Sequence, residues 1–163
     1  MGASVTDAVR TFVWCMGIVV FKLMFIAFAT GFKRSKTGSP ATPEDAALVG
    51  GSSDGDFNEG GTHPDVQRFL NLHRNTIENV LLFVITNFVF ATGSFKYADE
   101  WFAGAWIAFN VIWTVVRVAY TVCYIFALQP YRTICFALGQ FMIFLFTFWG
   151  MITVLITRHV STD

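Results

Sequence analysis

Four runs of apolar residues alternate along the chain with polar segments. The first runs from Thr11 to Phe32 and is broken by one charge, Lys22; at about 1.5 Å per residue its 22 residues cover the roughly 30 Å of a bilayer core. It is longer than a signal-peptide core and ends on the charged stop Thr30-Gly31-Phe32-Lys33-Arg34 rather than on a small-residue cleavage site, so it reads as a retained span. From Lys33 to Pro64, Gly, Ser, Pro, Thr and Asp take over, a polar loop that cannot offset its ordering entropy by burial and whose middle should be mobile. Within it Pro43-Glu44-Asp45-Ala46-Ala47 reads as a short helix start with acids in its first turn. Pro64 suits the first position of a second helix, polar through Glu78 and apolar from Val80 to Ala91. Trp101 to Gln129 carries only one charge, Arg117, and Thr133 to Thr157 carries none in 25 residues. Between them Gln129-Pro130-Tyr131-Arg132 is a tight turn that makes the last two spans antiparallel neighbours. The pattern predicts an all-α, integral membrane four-helix bundle: a single domain over 1–163, with spans at about 8–33, 64–92, 99–128 and 131–158, a polar loop at 34–63, and both termini on one side.

Composition agrees with a lipid environment. Hydrophobic residues make up 55% and charged residues only 13%, against about 25% charged in soluble domains. Nineteen phenylalanines and five tryptophans exceed what one small aqueous core buries, so much of this surface should face lipid. Eleven basic residues balance eleven acidic ones, which removes the positive field that recruits nucleic acid. Lys33, Arg34, Lys36, Arg68 and Arg132 flank one side of the predicted spans and Arg10, Lys96 and Arg158 the other, which orients the long loop to the cytosol. Cys15, Cys123 and Cys135 are odd in number and far apart in sequence; they read as buried or lipid-facing thiols, with no disulfide framework. Three scattered histidines build no metal site, and there is no nucleophile elbow, phosphate-binding loop or Ser/His/Asp set.

The chemistry lies in polar residues that a membrane helix does not otherwise carry. Asn71, Arg74, Asn75 and Glu78 share one helix face, with Arg74 and Glu78 spaced as an i,i+4 ion pair. Arg68 and His73 read as a solvated juxtamembrane face, whereas Glu78, running directly into apolar sequence, is expected inside the protein. Arg117, Tyr120, Thr121 and Tyr124 fall at i, i+3, i+4 and i+7 of the third span and make a second inward stripe. An arginine at that depth costs about 2.5–3.5 kcal/mol on insertion scales; it either pairs with Glu78 or grips an anionic ligand bidentately. Arg132, Phe136 and Gln140 line one face of the fourth helix, with Arg132 where free backbone N–H groups already favour anions. Lys22 either snorkels or faces the same interior.

The run His63 to Asn79, containing HisArgAsnXXGlu, and ArgValAlaTyrThrValCysTyr from Arg117 to Tyr124 resemble the membrane-associated proteins in eicosanoid and glutathione metabolism. The pattern is nearest to the microsomal glutathione transferase and prostaglandin E synthase branches of that family, and the resemblance covers the whole topology. It implies a homotrimer in the endoplasmic reticulum membrane, with glutathione held between neighbouring subunits near the cytosolic face. It also implies that Arg34, Asn71, His73, Arg74, Asn75, Glu78, Arg117, Tyr120, Tyr124 and Gln140 contact glutathione or order its neighbours. Arg132 would stabilise the thiolate, Thr133 stands where a serine holds the thiol, and Asp45 where an aspartate moves a proton. Three positions depart from the synthase pattern: Asn71 replaces an arginine, Tyr120 a histidine, and Phe136 a tyrosine that contacts glutathione.

The function expected on this basis is a glutathione-dependent membrane transferase or peroxidase acting on hydrophobic electrophiles or lipid peroxides. Isomerisation of a prostaglandin endoperoxide is the enzymatic alternative, using the same thiolate to open an oxygen–oxygen bond. A non-catalytic lipid-binding adaptor is the alternative from another class.

Overall fold

The computed structural model describes residues 2–42, 44–45, 63–94 and 100–160. Among them the chain is all-helical, with four long helices: α1 (Val5–Thr37), α2 (Pro64–Ser94), α3 (Glu100–Ile125) and α4 (Tyr131–Val160). Each is long and apolar enough to cross a membrane. The expected mobility of the middle of the long loop lies outside the described residues, whereas Glu44 and Asp45 are helical, as the acidic helix start predicts. There the Glu44 carboxyl is held below its usual range by its own backbone N–H and by the Thr42 hydroxyl.

The helix ends follow from local sequence. Ser4 and Asp7 form a reciprocal cap: Asp7 N–H donates to Ser4 Oγ at 3.2 Å and Ser4 N–H to Asp7 Oδ2 at 3.3 Å. Helix α1 closes on Gly38, whose φ of 62° lets Ser39 N–H reach back to the Arg34 carbonyl at 3.1 Å. At about 1.5 Å per residue its 33 residues span about 50 Å, so it overshoots the hydrocarbon layer and carries Lys33, Arg34 and Lys36 beyond it. Helix α2 starts at Pro64, with Asp65 N–H donating to His63 Nδ1 at 3.2 Å.

Two compact units emerge from the packing: Met1–Val20 with Glu78–Asp163, and Phe21–Ile77. The first has an aromatic core. The Phe83 ring stacks on Trp113 with centroids 3.8 Å apart, and Phe109 stacks on Phe146 at 4.0 Å. Two polar side chains inside it satisfy each other and the backbone: Trp106 Nε1 donates to Asn87 Oδ1 at 2.7 Å, and Asn87 Nδ2 to the Phe83 carbonyl at 2.9 Å. In the second unit Lys33 Nζ pairs with Asp65 Oδ2 at 3.1 Å, and Val66, Phe69 and Leu72 form the buried stripe of α2. Lys22 is buried. The surplus aromatics are on the outside: Trp14, Phe21, Phe28 and Phe32 of α1 are all exposed, a face suited to lipid.

Candidate functional site

Helices α3 and α4 pack against each other as an antiparallel hairpin. The hairpin turn is set by an αL cap at Ala127 (φ 57°), where Leu128 N–H bonds the Cys123 carbonyl at 2.9 Å and Ala127 N–H the Tyr124 carbonyl at 3.3 Å. Helix α4 then begins with Thr133 and Ile134 N–H both donating to the Pro130 carbonyl.

Four of the predicted site residues come together on this hairpin. Arg117 is 1% exposed, and its guanidinium carbon lies 4.6 Å from the Tyr120 ring centroid. The Arg132 guanidinium lies 4.9 Å from the Tyr124 ring, and the two tyrosine rings are 5.7 Å apart. A continuous Arg117–Tyr120–Tyr124–Arg132 series therefore runs from the buried part of α3 to the first turn of α4, with Phe136 6.1 Å from Tyr120 on its flank. Gly139 makes room for it: a methyl group there would stand 3.2 Å from Arg117 Cδ. Gln140, beside it, is half-buried.

Gln129 was not singled out by sequence reasoning, although it stands three and four residues before the two groups it holds. Its amide lies between Arg132 and Thr133. The orientation that satisfies both has the oxygen accepting from Arg132 Nε at 3.1 Å and Nη2 at 2.5 Å, and the nitrogen donating to the Thr133 hydroxyl at 3.0 Å. The two residues expected to handle the thiol are thus joined through one side chain. On the same hairpin Cys123 and Cys135 are free and half-buried, and Cys15 on α1 is free and buried.

Glu78 departs from expectation. It is exposed on its own chain, because the buried stripe of α2 runs through Leu72, Thr76, Asn79 and Phe83, and Glu78 sits about 100° around the helix from Asn79. The Arg74–Glu78 pair predicted from i,i+4 spacing is absent from the ion pairs of the described residues, and so is an Arg117–Glu78 pair; Arg74 is exposed as well.

In the second unit, Arg34 and Asp45 are brought to one cavity of about 230 Å³, shaped by the end of α1 and the segment after Gly38. Asn71 accepts a hydrogen bond from Gln67 Nε2 at 3.0 Å, and Asn71, His73 and Asn75 are half-buried. Among the described residues no group of three or more His, Cys, Asp or Glu side chains is placed to hold a metal ion.

Comparison with known proteins places this arrangement. The sequence profile of the MAPEG family matches residues 12–152. This chain belongs to the MAPEG family. Human prostaglandin E synthase is 34% identical over 136 residues, 83% of this chain and 82% of that protein. The Mus musculus prostaglandin E synthase is 35% identical over 134 residues (82% and 80%), and that of Rattus norvegicus 34% over 140 (85% and 84%). The family resemblance read from the two signatures is thereby established, and with it an enzyme-bearing family whose members fit the four long apolar helices of an integral membrane protein.

Proposed function

We propose that this protein is a glutathione-dependent membrane enzyme, a transferase or peroxidase acting on hydrophobic electrophiles or lipid peroxides. The observation that carries the reading is the Arg117–Tyr120–Tyr124–Arg132 series, two guanidinium groups fixed against tyrosine rings on a rigid hairpin. Its donors fit the tripeptide, whose two carboxylates call for fixed cations and whose remaining polar groups call for hydroxyl and amide partners such as Tyr124 and Gln140. Bound glutathione supplies a thiol whose ionised form is the nucleophile. Arg132 holds negative charge at that sulfur, reinforced by the positive end of the α4 helix dipole at whose first turn it stands. Gln129 fixes the direction of its guanidinium, and Thr133 offers a hydroxyl beside it. Asp45, exposed at the cavity it shares with Arg34, is assigned proton transfer. The roles of Asn71, His73, Arg74, Asn75 and Glu78 in binding rest on the family resemblance.

The same resemblance supports a homotrimer in the endoplasmic reticulum membrane, with the 34–63 loop cytosolic. The exposure of Arg74 and Glu78 supports it too, since a neighbouring copy would cover charges that lead into apolar sequence. Similarity to proteins named prostaglandin E synthase favours a second reading, isomerisation of a prostaglandin endoperoxide. Phe136 lacks the hydroxyl of the tyrosine it replaces and favours the transferase reading. The test is glutathione binding to detergent-purified protein, followed by turnover with an electrophile, a lipid hydroperoxide and prostaglandin endoperoxide. Conjugation or peroxide reduction is the expected result; isomerisation alone selects the second reading, and absence of both binding and turnover points to an adaptor.

A further inference from the structure

The buried threonines of the described residues have partners with one exception. Thr30, Thr76 and Thr121 donate to the backbone carbonyl four residues back, and Thr86 of α2 shares a 2.8 Å hydrogen bond with Thr147 of α4. Thr114, 4% exposed, does neither: its hydroxyl has no hydrogen-bond partner among the described residues. Asn110 Oδ1 and Trp113 Nε1 share that condition, and both residues are 0% exposed. The three stand at i, i+3 and i+4 of α3, within one turn on one face of the helix.

Asn110 and Trp113 are not free to turn toward other partners. Asn110 Nδ2 donates to the Trp106 carbonyl at 2.9 Å, which fixes the amide and leaves its oxygen over. The Trp113 ring lies 3.8 Å from the Phe83 ring with an interplanar angle of 5°, which fixes the direction of its N–H. Trp106, the other buried indole, has its N–H satisfied by Asn87. A buried polar atom left without a partner has given up its hydration for nothing in return. Here the three atoms are an acceptor, a donor and a hydroxyl able to act as either. That set complements a water molecule, which holds about three hydrogen bonds when buried. Side chains one turn apart have Cβ atoms roughly 5–6 Å from each other. One water spans that gap with two hydrogen bonds of about 2.8–3.0 Å.

We propose that Asn110, Trp113 and Thr114 form a binding site for a buried water inside the helical core of the membrane domain. Trp113 Nε1 donates to the water oxygen, the water donates to Asn110 Oδ1, and the Thr114 hydroxyl makes the third bond. Their own chain covers all three residues, so a lipid headgroup or a neighbouring copy does not reach them, whereas water is small enough to be enclosed. The site uses no glutathione and stands apart from the enzymatic reading.

The test is water-selective magnetic resonance on the full-length protein in detergent micelles, with the indole nitrogens of its five tryptophans labelled and Trp113 assigned through Trp113→Phe. The Trp113 indole proton should show a cross-peak to water of opposite sign in the laboratory and rotating frames, the signature of a held water rather than of proton exchange; Trp106 should show none. Thr114→Val and Asn110→Leu should each weaken that cross-peak severalfold, and Thr114→Ser should keep it. Thr114→Val should also lower the unfolding temperature, because it removes a bond to the water. Absence of the cross-peak at Trp113 in the wild type, equal cross-peaks in the wild type and both apolar variants, or a higher unfolding temperature in Thr114→Val, as a dry hydroxyl predicts, would each overturn the proposal. The comparison of Trp113 with Trp106 in the wild type decides the matter even where a variant fails to fold.

Discussion

Arg117 occupies its position because Gly139 has no side chain. With only 3.2 Å between Arg117 Cδ and the place of a methyl group, Gly139→Ala requires a small shift, but a branched side chain forces the arginine off Tyr120. Gly139→Val should therefore weaken glutathione binding by roughly ten- to a hundredfold, since loss of a well-placed charged hydrogen bond costs about 1.5–3 kcal/mol. Titration calorimetry of wild type, Gly139→Ala and Gly139→Val measures this; equal affinities in all three would remove Arg117 from the binding site. The depth of Arg117 in an apolar span was legible in the sequence, and it is buried, as the helix spacing implies. The inward position given to Glu78 was not sound, because the cost of a carboxylate in hydrocarbon says that it must be covered and not by which chain. Gln129 escaped notice because its role depends on the geometry of the turn rather than on residue type or spacing.

At the scale of the helix, two left-handed positions end α1 and α3, and they are filled differently. Gly38 adopts φ 62° without a Cβ, whereas Ala127 adopts φ 57° with one. A left-handed L-residue costs roughly 1–2 kcal/mol, so Gly38→Ala should lower stability by about that amount and Ala127→Gly raise it by a similar one. Opposite shifts of the unfolding temperature in detergent, a few degrees each, are the expected readout; shifts of the same sign would show that the αL caps do not govern these helix ends. The long apolar helices and the α3–α4 hairpin follow directly from hydrophobic run length and the Gln129-Pro130 turn signal. The reach of α1 to Thr37, past the end of its apolar run, was not legible from hydropathy, since the polar last turn is held by Gly38 and by Thr37 Oγ1 donating to the Lys33 carbonyl at 2.8 Å.

For the molecule as a whole, the four helices and the MAPEG membership imply an integral membrane protein, and the basic residues flanking its spans predict that the 34–63 loop faces the cytosol. Single cysteines introduced into that loop should be labelled by an impermeant maleimide in intact microsomes; protection until detergent is added would reverse the orientation. The central claim is that Arg132, directed by Gln129 at the start of α4, stabilises a glutathione thiolate, and it is tested most directly by thiolate absorbance at neutral pH. Free thiols titrate near ~8.5, so mixing wild-type protein with glutathione should raise the thiolate signal and release a proton. Arg132→Ala should reduce that signal roughly tenfold or more, because it removes a charge, while Phe136→Tyr, which only adds a hydroxyl, should change it little. A wild-type protein that gives no thiolate signal up to saturating glutathione, or an Arg132→Ala protein that gives an undiminished one, would contradict the account.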